Sequence, residues 1–238
     1  MKFIRLMIML VALSLGIVVC HAADKQLPIY SVDMEEKKAS ITFDVAWGAD
    51  DLEQILEILD DNKVKATFFI VGDWVEQFPD EVKLIHEKGH DIANHSDRHP
   101  HVTKMKKEEV KDDIMAAHKK VKELLNVEMD LYRAPYGEYN DDVLNAAHEC
   151  NYYVIQWDVD SLDWKDYGRQ ELIDKVLKHK NLKCGSIILL HTGTTHTKDA
   201  LDEILKGLLK DGYELVPTSE LIIREDFKTD HTGRQFKK

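Results

Sequence analysis

The strongest constraint on this chain's fold is an alternation that starts near Ala39 and runs almost to its end. Short apolar runs suited to β-strands take turns with stretches of helical periodicity. The strand-type runs are Ser40 to Val45, Ala66 to Val71, His90 to Ala93, Leu131 to Arg133, Tyr152 to Trp157, Ser186 to His191 and Glu214 to Val216. Most are apolar on successive residues, the pattern of a strand covered on both faces. Between them, Leu52, Ile55, Leu56 and Leu59 recur at helical spacing, as do Leu201, Ile204, Leu205, Leu208 and Leu209. The longest helix is expected from about Lys107 to Leu125, with Val110, Ile114, Ala117, Val121 and Leu124 on one stripe. Asn140 followed by Asp141 and Asp142 marks another helix start, because a side-chain acceptor and two negative charges meet the free N–H groups there. Strands alternating with helices make βαβ units, whose right-handed crossovers place the helices outside a parallel sheet.

Such a sheet is either closed or doubly wound, and the polar residues decide between the two. Asp44, His95, Arg133, Asp158 to Asp163 and His191 all fall at or just past the C-terminal ends of strands. In a closed barrel those ends converge on one mouth. The expectation is therefore an α/β fold, a distorted (β/α) barrel of about seven parallel strands in a single domain. With 238 residues, one domain is the natural count. Its bounds are drawn at 39–223, after a signal peptide (1–22) and a linker (23–38), and before a polar tail (224–238) expected to be a mobile surface segment.

Lys2 and Arg5 precede an apolar run from Leu6 to Cys20, the pattern of an export signal, with cleavage expected after Ala22. The stretch from Phe3 to Ala23 approaches the length of a membrane span, so an uncleaved anchor is the alternative. Lipidation at Cys20 is disfavoured by Val19, where a small residue is wanted. The protein is thus expected to be exported, secreted or envelope-associated, or held to the membrane by this segment. Its removal takes Lys2 and Arg5 but no acid, and the formal net charge goes from −12 to −14. An acidic protein lacks the basic face that nucleic acid requires, whereas an uncharged glycan makes no such demand. Two cysteines remain, Cys150 and Cys184. Each precedes a strand, and if those strands were neighbours a disulfide would fit; two separate thiols packed as hydrophobes are the favoured expectation.

Five short motifs carry chemistry. His95-Ser-Asp-Arg-His99 sets two imidazoles four residues apart, suited to a zinc-like cation if they share one side of a helical turn. It lacks the glutamate that HExxH peptidases use as base, so a base must come from elsewhere; alone, the pair could be two loop histidines among twelve. Thr42-Phe-Asp44 is an apolar strand ending on a carboxylate, which needs a partner if it is buried. Arg133-Ala-Pro-Tyr136-Gly137 is a strand running into a proline turn. Asp160-Ser-Leu-Asp163-Trp164 carries two acids and an aromatic, and the run from Ile187 ends on His191.

In this order the five motifs resemble the polysaccharide deacetylase family, carbohydrate esterases with a NodB-like domain, over roughly Ala39 to Leu221. The TFDVAWG opening and short layout are most similar to sporulation-type deacetylases. The resemblance implies that His95 and His99 ligate a divalent metal, zinc first and cobalt, manganese or nickel as alternatives. It implies that Asp44 is the general base paired with Arg133, and that His191 is the general acid oriented by Asp163. It further implies that the Tyr136 backbone N–H serves the oxyanion, and that Trp164 and Leu189 wall the acetyl pocket. The family's usual opening has a second aspartate, a metal ligand, where this chain has Val45. Asp50 is taken as its replacement in preference to Asp51, although both also suit the start of the next helix. The implied activity is removal of N-acetyl groups from peptidoglycan or a chitin-like polysaccharide by a monomeric enzyme. An O-acetyl esterase acting on xylan-type glycans and a glycan-binding protein that has lost catalysis are the alternatives. Asp44, Arg133, Asp163 and His191 favour an enzyme, because binding alone needs neither an acid nor a base.

Overall fold

A computed structural model describes residues 27–238; the expected signal peptide or anchor lies outside the described residues. In chain order the elements are β1 (Ser31–Val32), β2 (Lys38–Val45), α1 (Leu52–Asp61), β3 (Thr67–Ile70), α2 (Gly72–Gln77), α3 (Pro79–Glu87), β4 (Asp91–Asn94), α4 (Lys107–Leu125), β5 (Leu131–Tyr132) and α5 (Asp141–Glu149). There follow β6 (Tyr153–Val154), β7 (Val159–Asp160), α6 (Arg169–Leu177), β8 (Ser186–His191), α7 (Thr197–Lys210), β9 (Glu214–Leu215), α8 (Thr218–Leu221), β10 (Phe227–Thr229) and β11 (Arg234–Lys237). Among the described residues, no helix is long and apolar enough to cross a membrane.

The longest strand, β2, is the centre of the sheet. It pairs in parallel with β3 on one side and β8 on the other, and β4, β5 and β6 continue beyond β3. The run Tyr152 to Trp157 does not form one strand. It yields β6, paired with β5, and the chain then crosses to β7, paired with β8. The seven parallel staves β2 to β8 therefore curl back toward their start, as a single-domain distorted (β/α) barrel. Strand periodicity sorts β2 into two faces. Ala39, Ile41, Phe43 and Val45 join the apolar cluster beneath α1, α4 and α7, where Phe43 stacks on Phe68 at 5.0 Å. Ser40, Thr42 and Asp44 alternate with them on the other face. The smaller cluster, including Ile29, Phe69, Ala93, Leu131, Ile155 and Ile187, fills the interior.

Both terminal segments depart from the sequence reading. Residues 27–38 are not a free linker, since Ile29 bridges Ile155 and β1 lies antiparallel to β8. The tail 224–238 is not a loose surface segment either. It folds as the β10–β11 hairpin, and β11 docks in parallel on β1. Its polar composition concealed these strands because an outer hairpin needs few apolar residues, while its backbone pairs an otherwise open sheet edge. Gly185 allows the junction: it lies at φ +80°, and a Cβ there would fall 1.9 Å from the Val32 carbonyl oxygen. Cys150 and Cys184 are both free thiols. The strands they precede, β6 and β8, are not hydrogen-bonded neighbours, which removes the adjacency on which a bridge depended.

Gln235 is fully buried and serves as the hairpin's polar anchor. Its Nε2 donates to the Ile223 carbonyl at 2.6 Å, and its Oε1 accepts from the Ile223 N–H at 2.7 Å. Gln235→Leu leaves both backbone groups unpaired and is expected to cost about 1–3 kcal/mol, read as a lower urea midpoint. An unchanged midpoint would show that the hairpin contributes nothing to the folded unit.

Candidate active site

The site begins with a buried ion pair. Arg133, just past β5, has no exposed surface. Its Nη1 donates to Asp44 Oδ1 at 2.7 Å and to Thr42 Oγ1 at 3.0 Å, and its Nη2 to the Gln156 carbonyl at 3.1 Å. The guanidinium lies 4.0 Å from the Phe69 ring centroid and 5.4 Å from that of Trp157. Burial by itself would raise the Asp44 pKa, but Arg133, with smaller contributions from His95 and His191, more than offsets it and holds the carboxyl below its ordinary range. Asp44 is ionised.

Arg133 also reaches the histidine pair, through its backbone. His95 Nδ1 lies 2.8 Å from the Arg133 carbonyl oxygen. A carbonyl can only accept, so Nδ1 carries the proton and Nε2 keeps its lone pair; that Nε2 is 3.5 Å from Asp44 Oδ2. Residues 95–99 are a bent loop and not the helical turn that the four-residue spacing suggests. Ser96 and His99 lie at φ +74° and +54°, and this left-handed pair of turns brings the two rings to a centroid distance of 4.9 Å. Asn94 supports the loop: Oδ1 accepts from the Ser96 N–H at 2.8 Å, while Nδ2 donates to the Ile114 carbonyl at 2.9 Å. Lys120 of α4 holds Asp97 at 2.7 Å. Burial lowers the His95 pKa, and burial first, with the cost of a second imidazolium beside His95, brings His99 to about 4. Both imidazoles are neutral, as metal ligands must be.

On the other side His191 ends β8. Its Nδ1 donates to Asp163 Oδ1 at 2.7 Å and its backbone N–H to Asp163 Oδ2 at 2.7 Å, and Thr197 Oγ1 donates to Oδ2 at 2.7 Å. Burial opposes the imidazolium, but the Asp163 hydrogen bond and charge, with Asp44, overcome it and raise the pKa above 6.5.

Asp44, His95, His99, Tyr136, Trp164, Leu189 and His191 all line one cavity of about 490 Å³, with Arg133 and Asp163 behind Asp44 and His191. The Tyr136 ring lies between those of His99 and His101, at 4.5 and 4.4 Å. Asp50 is not brought in. It is exposed in the turn before α1 and absent from the lining. The buried neighbour, Asp51, turns the other way: its Oδ2 accepts from the Gly193 N–H at 2.8 Å and ties down the loop after β8. Val45 is buried among the apolar residues under the helices. Two neutral imidazoles fit a divalent cation, but among the described residues no group of three His, Cys, Asp or Glu is arranged to hold one.

The sequence reading left out Ala46, Trp47, Gly137, Trp157 and Asp160, which also line the cavity. Trp47 and Asp160 stood inside motifs already singled out, and Trp157 ended a strand-type run. Position past a strand end was the available signal.

The polysaccharide deacetylase family model matches residues 31–155. A peptidoglycan-N-acetylglucosamine deacetylase of Bacillus cereus is 36% identical over 198 residues, covering 81% of this chain and 92% of that protein. Among solved structures, a peptidoglycan N-acetylglucosamine deacetylase in complex with a hydroxamate-type benzamide matches with a TM-score of 0.79 at 32% identity, over 83% of this chain and 94% of that one. A CE4-family pseudoenzyme from Bacillus anthracis matches with a TM-score of 0.79 at 32% identity, over 84% and 71%.

Removing one partner of the buried pair leaves an uncompensated charge. Arg133→Met is expected to destabilise the fold by about 3–5 kcal/mol, whereas Arg133→Met combined with Asp44→Leu costs less than the single change. Denaturant unfolding of the wild type and both variants measures this; a double variant less stable than Arg133→Met would contradict it.

Proposed function

The chain belongs to the polysaccharide deacetylase family, and from that membership we propose that it is a metal-dependent N-deacetylase releasing acetate from N-acetylated sugars of peptidoglycan or a chitin-like polysaccharide. The observation that carries this reading is one cavity shared by an ionised carboxylate, Asp44, and an imidazole favoured in its protonated form, His191. A binding site has no use for that pair of charge states, while amide hydrolysis needs both.

His95 and His99 would hold the cation, zinc by their donor chemistry, with cobalt, manganese and nickel accepting the same ligands. When bound it supplies Lewis-acid polarisation and lowers the pKa of water. Asp44, with Oδ1 fixed to Arg133, takes a proton from the attacking water through Oδ2. The water oxygen bonds to the acetyl carbon, and the Tyr136 backbone N–H donates to the oxyanion. His191 then gives its Nε2 proton to the sugar nitrogen as the C–N bond breaks, leaving acetate and a free amine. Asp163 fixes the imidazole ring and favours its charged form. Leu189 and Trp164 enclose the acetyl methyl. Such a substrate lies in the cell envelope, which agrees with export through the N-terminal segment, and its uncharged sugars suit an acidic protein better than nucleic acid would.

Two observations favour a second reading, a glycan-binding relative without catalysis. Among the described residues the donor set stops at two imidazoles, and a structural neighbour is a pseudoenzyme. Elemental analysis together with acetate release from peptidoglycan, N-acetylglucosamine oligomers and acetylated xylan separates the readings. Release from xylan alone would make the protein an O-acetyl esterase, and none from any substrate would leave binding.

Asp44→Asn and His191→Ala are each expected to lower turnover by ~10²–10⁴-fold. Because His191 is raised above 6.5, activity should persist through that pH and fall as pH passes the raised value; Asp163→Asn should move the fall to lower pH. Unshifted profiles would remove the acid's role. For the metal, His95→Ala with His99→Ala should abolish its uptake, and Asp50→Ala should leave the bound metal per chain unchanged.

A further inference from the structure

Trp47 takes no part in the steps above, yet its surroundings hold it beside them. It follows β2 by two residues, remains 51% exposed and lines the same cavity as His191. The Trp74 Nε1–H is shared by the carbonyl oxygens of Trp47 at 3.0 Å and Gly48 at 3.1 Å, which fixes the backbone. Gly193, in the loop anchored by Asp51, lies beside it, where a Cβ would make an ordinary van der Waals contact 3.5 Å from Trp47 Cβ. The indole lies 5.8 Å from the His191 ring, centroid to centroid, with 33° between the planes.

A half-exposed indole forgoes part of the burial that stabilises a fold, at roughly 25 cal/mol for each Å² left in water. Trp47 is not alone in this. Of the six large hydrophobic residues exposed among the described residues, Trp47, Tyr136 and Trp164 line this one cavity. Apolar surface gathered at one mouth marks a binding site more strongly than scattered exposure does. The three differ in what they touch. Tyr136 is packed between His99 and His101 on the metal side, whereas Trp47 faces His191, the group assigned to protonate the leaving nitrogen.

We infer that Trp47 is a specificity-determining platform, stacking on the C–H face of the pyranose that carries the leaving amine and holding its nitrogen within reach of His191. The inference rests on the proposed reading for its substrate class. A pyranose keeps hydroxyls at its rim and C–H bonds on its faces. An aromatic face covers the C–H side without competing for the rim's hydrogen bonds. Placed beside the acid, the platform converts sugar binding into orientation of the scissile bond.

The test compares Trp47→Ala and Trp47→Phe with the wild type on tetra-N-acetylchitotetraose and on 4-nitrophenyl acetate, which has no sugar. The expected result is a rise in KM for the tetrasaccharide larger than the fall in kcat. The loss in kcat/KM should exceed that on the aryl ester by at least about tenfold, and Trp47→Phe should recover most of it. Calorimetric titration of the tetrasaccharide into Asp44→Asn, with and without Trp47→Ala, should show a matching loss of affinity. Equal losses on both substrates would mean that Trp47 only supports His191, and unchanged affinity would mean that no sugar stacks on it; either overturns the inference. If the wild type binds the tetrasaccharide but releases no acetate, the deacetylase reading fails, and the titration still decides the role of Trp47.

Discussion

Arg133 and Asp44 are both removed from water, Asp44 in the cavity wall and Arg133 behind it, and the rest of the site is arranged around their contact. Burying two charges costs several kcal/mol each unless geometry and hydrogen bonds compensate. Here the guanidinium meets Asp44, Thr42 and the Gln156 carbonyl, while aromatic rings take its faces. Those partners come from β2, from the segment after β6 and from β3, so the pair ties together staves from different parts of the barrel. The same residue sets the histidine side through its carbonyl, which fixes the His95 tautomer. One buried arginine therefore holds Asp44 ionised and fixes the lone pair of the adjacent imidazole.

The other wall is built on the same plan with a carboxylate at its base. Asp163 spends one oxygen on the His191 ring and the other on the His191 backbone and Thr197. The ring cannot turn without losing a charge-assisted bond. Four of the nine non-glycine residues at positive φ among the described residues lie within the site's motifs: Ser96, His99, Tyr136 and Leu162. Such conformations cost of order 1–3 kcal/mol each and persist only where the surroundings over-determine them. Asn94 and Lys120 do so for the histidine loop, and the flanking imidazoles do so for Tyr136.

Much of this was readable in the sequence because strands deliver residues in a fixed alternation. Apolar runs ending on Asp44, Arg133 and His191 gave both the barrel and its mouth, and position past a strand end placed His95, His99 and Asp163 nearby. What was not readable depended on short-range backbone geometry. The spacing of His95 and His99 fits a helical turn as well as it fits two left-handed residues, and composition cannot choose between them. Asp50 and Asp51 are chemically identical neighbours; only the direction of the chain entering α1 sends Asp51 to Gly193 and leaves Asp50 in solvent. The tail was misread because polar residues that pair by backbone carry no hydrophobic signal. Trp47 was passed over because an exposed tryptophan and a core tryptophan look alike in one dimension.

Val45 shows how far a single position can be interpreted from its neighbours. Strand β2 continues through Val45, which pairs with Ile70, so the period of two that turns Asp44 inward sends residue 45 outward to the helices. A valine there is what the packing requires, since it fills the cluster beneath α1 and α7. A carboxylate at 45 would be buried without a partner in that cluster, at a cost that apolar surroundings make prohibitive. The side chain at 45 therefore serves the core beneath the helices, while Asp44, one residue earlier on the same strand, serves the cavity.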